Sequence, residues 1–137
     1  MTHFDPSEKK FTINISVHKN DIDEMSHVNN VVYVRWVQEV AAAHWASRAP
    51  LQLREKYMWV VLRHEIDYLS PAFEGDQLAV TTWVEDSKGP RFERYSEIIN
   101  EKTEKILAKA KTTWCMLDSA SMKPKRMDEE MVALLKG

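Results

Sequence analysis

Hydrophobic and polar positions change period along the chain, and the changes divide it into elements. Phe11, Ile13, Ile15 and Val17 alternate with Thr12, Asn14, Ser16 and His18, the two-residue period of a strand with one buried face. Asn20 to Ser26 is rich in turn formers. From Val31 to about Arg48 the pattern becomes apolar on almost every side, with Tyr33, Trp36, Val37, Val40 and Trp45 among its members. Such a stretch predicts a long helix buried nearly all round, capped by Asn29 or Asn30 and stopped by Pro50.

Alternation returns at Met58. Met58, Val60, Leu62, His64, Ile66 and Tyr68 fall on one face of a second strand that Ser70-Pro71 ends. Leu78, Val80, Thr82 and Val84 mark a third strand, and Ser87-Lys88-Gly89-Pro90 reads as a loop. Phe92 to Asn100 forms a fourth strand whose scattered charges predict partial exposure. In a fifth, from about Lys105 to Leu117, Ala108, Ala110, Thr112, Trp114 and Met116 share a face opposite Lys105, Lys109 and Lys111. Asp128 to Lys136 predicts a short helix with acidic residues in its first turn, which suits the helix dipole. Strand, long helix, then four strands on short connections is an α+β arrangement with an antiparallel sheet. One helix cannot cover both faces of that sheet, so self-association is expected to protect what remains.

Composition narrows the partners. At 137 residues the chain is one domain, and 19 basic against 21 acidic residues leave a formal charge of -2, no field for nucleic acid. A small-molecule partner is expected. A single cysteine excludes an internal disulfide and a cysteine zinc cluster, and fits a reducing compartment. The histidines lack metal-ligand spacing, so no metal is expected. Met1 to Lys10 is polar, without the apolar core of a signal peptide, and no run approaches the ~20 apolar residues of a membrane span. A soluble, cytoplasmic protein is the expectation.

The chemistry concentrates in Asp21-Ile22-Asp23-Glu24-Met25-Ser26-His27-Val28-Asn29-Asn30, between the first strand and the long helix. Two carboxylates at i and i+2 and a histidine four residues after the second stand beside a helix start, where unpaired backbone N–H groups carry positive partial charge. Asp23 is the candidate base or nucleophile, His27 can orient water or protonate a leaving group, and amides near Asn30 and Val31 can polarise a carbonyl. Asn29 or Asn30 can hold water or the carbonyl as readily as cap the helix. Taken alone, both aspartates are also ordinary turn residues, and Asp21 is read as structural. Cys115 is read as a free structural thiol.

These residues carry a resemblance. Asp21-Ile22-Asp23, His27-Val28-Asn29-Asn30 with Tyr33, and Ile66-Asp67-Tyr68-Leu69-Ser70-Pro71-Ala72 followed by Gly75-Asp76 together resemble the hotdog-fold acyl thioesterases. The nearer branches are the 4-hydroxybenzoyl-CoA thioesterases and the acyl-ACP thioesterases. The resemblance spans roughly residues 11 to 118. It implies a five-stranded antiparallel sheet wrapped round a central helix, a homodimer, with pairing of dimers into a tetramer left open, and hydrolysis of acyl-CoA or acyl-ACP without a cofactor. Asp23 matches the family's catalytic carboxylate and His27 the histidine of the acyl-ACP branch. Met25 replaces that branch's asparagine, and its further carboxylate or thiol, expected near Pro71-Ala72, is absent. Tyr33 is expected to line the acyl pocket. Lys88 and Arg91, with Arg94, are expected to pair with coenzyme A phosphates. Two other readings use the same groove. One is a non-catalytic acyl-thioester binding module; the other is a hydratase or dehydratase pairing His27 with Glu39 across the interface between protomers.

Overall fold

The computed structural model describes residues 10–136; the polar start read over Met1 to Lys10 lies outside them apart from Lys10. The elements are β1 (Phe11–Ser16), α1 (Asn30–Arg48), α2 (Leu51–Lys56), β2 (Tyr57–Tyr68), β3 (Gln77–Lys88), β4 (Arg91–Asn100), β5 (Ile106–Asp118) and α3 (Glu129–Lys136). The five strands form one antiparallel sheet in the order β1-β3-β4-β5-β2. This is the expected α+β hotdog architecture, with α1 lying on the sheet.

The sheet's inner face follows from register. Ile13 pairs with Val80, Val80 with Ile98, and Ile98 with Ala108, so apolar residues line up across four strands beneath the helix. Against them α1 sets Val32, Tyr33, Trp36, Val37 and Val40, all at most 8% exposed. The opposite face carries Glu93 and Lys111, 3.5 Å apart, and Trp83 stacked on Tyr95, so it is built for water. A second apolar cluster lies past the C-terminal end of α1, where Met127, Met131 and Leu135 meet Tyr57, Phe92 and Met116.

Four expectations change. The helix is not buried all round: Val31 is 72% exposed, and Arg35, Gln38, Glu39 and Ala42 face solvent. The alternation of β2 is broken by a bulge between Val61 and Arg63 that inserts Leu62. An extra residue swaps the faces, so Trp59 and Val61 point inward before it and His64 and Ile66 after it, whereas unbroken alternation puts Met58 and Leu62 with His64. β4 is a central strand, and Phe92, Arg94, Ser96 and Ile98 all turn inward. The expected loop at Ser87–Pro90 is a two-residue hairpin turn: Lys88 pairs with Arg91, Gly89 takes φ +61°, and Pro90 fixes its own φ negative, the type II′ pattern.

Candidate functional site

The segment before α1 folds back on itself. The Asp23 amide donates to the His27 carbonyl at 2.8 Å, the Ser26 amide donates to the Asp23 carbonyl at 3.1 Å, and Ile22 bridges Val28. Ser26 closes the loop in the left-handed region at φ 64°. The Asp23 carboxylate sits at the head of this turn, its Oδ1 accepting from the amides of Met25 at 2.8 Å and His27 at 3.4 Å. Its Oδ2 has no hydrogen bond among the described residues. Asp23, with Ile22, Glu24, Met25 and Asn29, lines a shallow open depression beside the start of α1.

Asp21 plays a different part. It is 5% exposed; its Oδ1 accepts from Arg35 Nη2 at 2.8 Å and its Oδ2 from the His18 amide at 3.0 Å. Burial works to raise its pKa, but the Arg35 hydrogen bond and charge and the His18 amide outweigh it and hold the carboxyl below its ordinary value. The carboxylate therefore ties the turn to α1.

Asn29 is the helix cap: its Oδ1 accepts from the Val31 amide at 3.0 Å and its carbonyl from Val32 at 2.9 Å. The Val31 amide, expected to be free for a carbonyl, is thus taken. Asn30 is the first helical residue, and helix geometry supplies its amide with no partner. Tyr33, expected to line an acyl pocket, is instead 3% exposed in the core, and its hydroxyl accepts from the buried Ala72 amide at 3.0 Å. Burial pushes that phenol above its usual pKa. The His27 ring packs edge-on against Phe73 at 5.2 Å, and no side-chain hydrogen bond joins it to Asp23. Glu39 lies 3.4 Å from Arg35 along the exposed face of the helix.

The cations are placed apart from this turn. Lys88 and Arg91 are exposed cross-strand neighbours at the tip of the β3–β4 hairpin, next to Phe92, which packs near the C-terminal end of α1. A 19-residue helix is ~28 Å long, which sets the scale of the separation from Asp23 within one chain. Arg94, grouped with them in the sequence, is 2% exposed beneath the helix. Its Nη1 donates to His44 Nδ1 at 2.9 Å and to Thr82 Oγ1 at 3.1 Å. Pattern reading missed this pair, because an arginine on an alternating strand and a histidine on a helix carry no mark of facing each other across the core. An arginine has no acceptor, so His44 accepts at Nδ1 and carries its hydrogen on Nε2, which has no partner. Burial, then the charges of Arg94 and Arg48, push His44 down to about 3. Burial pushes Arg94 down to about 9, which leaves the guanidinium charged at neutral pH.

A second cleft, about 650 Å³, lies away from Asp23, between the C-terminal half of α1, α2 and β2. Among the described residues no cluster of His, Cys, Asp and Glu is suited to hold a metal, and Cys115 is a buried free thiol. No helix of the described residues is long and apolar enough to cross a membrane.

A profile described as the thioesterase-like superfamily matches residues 17–135. The chain belongs to the thioesterase-like superfamily. Curated protein sequences give no match. Among solved structures, this thioesterase-like protein is similar to Slr0204 of Synechocystis, a 1,4-dihydroxy-2-naphthoyl-CoA thioesterase, at 21% identity and TM-score 0.80, over 92% of this chain and 95% of that one. It resembles the probable thioesterase YbaW of Escherichia coli at 23% identity and TM-score 0.81, over 91% and 96%. An acyl-ACP thioesterase of Bacteroides thetaiotaomicron gives 21% identity and TM-score 0.84, over 98% of this chain and 56% of that one. At such identities these likenesses establish the hotdog fold.

Proposed function

We propose that this thioesterase-like protein hydrolyses an acyl-CoA thioester to the free acid and thiol, with Asp23 as base or nucleophile at the head of α1. The observation that carries the reading is the carboxylate's setting. Two backbone amides fix Asp23 Oδ1, Oδ2 carries no hydrogen bond among the described residues, and Asp23 lines a depression beside the start of α1. With Asp23 as base, it takes a proton from water, the water oxygen attacks the carbonyl carbon, the C–S bond breaks and the thiolate leaves and takes up that proton. With Asp23 as nucleophile, the carboxylate attacks, the thiolate leaves, and water then hydrolyses the mixed anhydride, supplying the thiol's proton and freeing the acid and the carboxylate. The Asn30 amide, unpaired at the helix start, suits the oxyanion that forms on attack. His27, four residues on in the same turn, is placed to orient water.

A complete site needs a second copy of the chain. Asp23 lies in a shallow depression rather than an enclosed pocket, and apolar surface next to it is uncovered: Val31 is 72% exposed, Tyr68 43%, Leu69 53% and Phe73 46%. The free edge of β2 borders this surface. A dimer formed there covers it and encloses an acyl group. Lys88 and Arg91, about a helix length from Asp23 in their own chain, then serve the site of the neighbouring copy, pairing with coenzyme A phosphates as two exposed cations on a stiff hairpin. The similarity to Slr0204, named as a 1,4-dihydroxy-2-naphthoyl-CoA thioesterase, supports coenzyme A as the leaving group.

Release of free thiol from a panel of aliphatic and aromatic acyl-CoA esters tests the activity. Turnover of at least one class is expected. Saturable ester binding with no thiol release makes the protein a binding module, and hydration of an enoyl-CoA without thiol release makes it a hydratase; either result overturns the reading.

A further inference from the structure

We propose that Arg35 is a positioning residue for Asp23 and acts through Asp21, its guanidinium locking the turn that carries the reactive carboxylate onto α1. The proposal rests on the reading of Asp23 as base or nucleophile and adds a residue that need not touch the ester.

The turn has little of its own to hold it in place. Residues 23–27 are half-buried or exposed, and the Asp23 carboxylate is fixed by amides of the same turn, Met25 at 2.8 Å and His27 at 3.4 Å. Those bonds set the carboxylate relative to the turn, not the turn relative to the helix start. Backbone bonds close the base: the Asn29 amide donates to the Asp21 carbonyl and the Val28 amide to the Ala72 carbonyl, each at 2.9 Å. Beyond that base the brace is Arg35. Its Nη2 donates to Asp21 Oδ1 at 2.8 Å, and among the described residues no other side-chain hydrogen bond or ion pair joins residues 19–27 to α1.

An ion pair on a protein surface is worth little when both partners are solvated. Here the acid is buried. The Asp21 side chain is 7% exposed and its other oxygen accepts from the His18 amide at 3.0 Å, so loss of the guanidinium leaves a buried charge without its counter-ion. The segment must then shift to hydrate that charge, and Asp23, two residues on, shifts with it. Arg35 is itself steadied, because its Nε lies 3.4 Å from Glu39 Oε1 one helical turn along. A misplacement on the order of 1 Å at a reacting group costs up to about 100-fold in rate.

Kinetics and amide exchange on the full chain test the proposal. On an acyl-CoA that the unaltered protein hydrolyses, Arg35→Met is expected to lower kcat about ten-fold or more and to leave KM within about two-fold. Arg35→Lys, which keeps the charge without the fork, is expected to regain about three-fold or more of that loss. In an Asp21→Asn background no buried charge needs the guanidinium, and Arg35→Met is expected to cost less than about two-fold there. Hydrogen exchange gives a readout that needs no turnover. The Met25 and His27 amides are expected to exchange about five-fold faster or more in Arg35→Met, while those of Val37 and Val40 inside α1 keep their rates. Unchanged exchange at Met25 and His27, an equal loss of kcat with and without Asp21→Asn, or a loss carried by KM alone overturns the proposal. Should the unaltered protein release thiol from no ester, the hydrolysis reading falls by itself, and the exchange rates decide whether Arg35 holds the turn.

Discussion

His44 sets a measurable limit on acid stability. The ring is fully buried, stacked at 5.1 Å on Phe11, and held neutral by Arg94, whose guanidinium donates to Nδ1. Protonating it puts a third cation beside Arg94 and Arg48 with no anion near. In the unfolded chain the imidazole titrates near 6.5, and in the folded protein only at about 3. The sign follows. Below pH 6.5 the unfolded chain binds a proton that the native state refuses, so stability present above 6.5 is lost as pH falls toward 3. The loss is about 1.4 kcal/mol per pH unit, and about 2–3 kcal/mol between pH 7 and pH 4.5. Other groups, Asp21 among them, also weaken the fold in acid, so the comparison is with His44→Asn, whose amide oxygen keeps an acceptor for Arg94 without titrating. Urea unfolding at matched protein concentration measures both chains at each pH. The unaltered protein is expected to lose 1–2 M more of its midpoint than His44→Asn over that range, from the ordinary range of urea slopes. Parallel losses refute the buried neutral histidine.

Three further outcomes follow from particular contacts. Tyr33→Phe removes the acceptor of the buried Ala72 amide and is expected to cost about 1–3 kcal/mol in chemical unfolding while leaving thiol release intact, because the hydroxyl is held in the core. Gly89→Ala meets no atom within 4 Å, so only its positive φ counts; a loss of about 1–2 kcal/mol is expected, read as a lower melting temperature. Lys88→Ala with Arg91→Ala is expected to raise KM several-fold for an acyl-CoA and to leave it unchanged for the same acyl group on pantetheine, which lacks the phosphates.

The fold was legible because its period changes are clean. β5 keeps strict alternation from Ala108 to Met116, and its inner face is the one the sequence marks. The cap followed as well, since Asn29 and Asn30 both precede the apolar run and the structure uses Asn29. What failed to show was whatever depends on tertiary partners. Leu62 looks like one more apolar residue in register, and only pairing against Trp114 and Thr113 reveals it as the bulge. α2, six residues with no buried side chain, has no periodicity to announce it. Arg94 reads as a solvated charge beside Arg91 until β4 proves central. The Asp-Ile-Asp pair was visible as chemistry, but its division of labour was fixed by Arg35, fourteen residues along, reaching Asp21 and leaving Asp23 open.

The most direct test of the proposed activity is the turnover of Asp23→Asn on an acyl-CoA that the unaltered protein hydrolyses. The asparagine side-chain oxygen can still accept from the Met25 and His27 amides, so the turn and the melting temperature should survive. Thiol release is expected to fall by about 100-fold or more, the range attributed to a positioned base, with binding of the ester retained. Undiminished turnover in the folded variant would remove Asp23 from the chemistry and contradict the account.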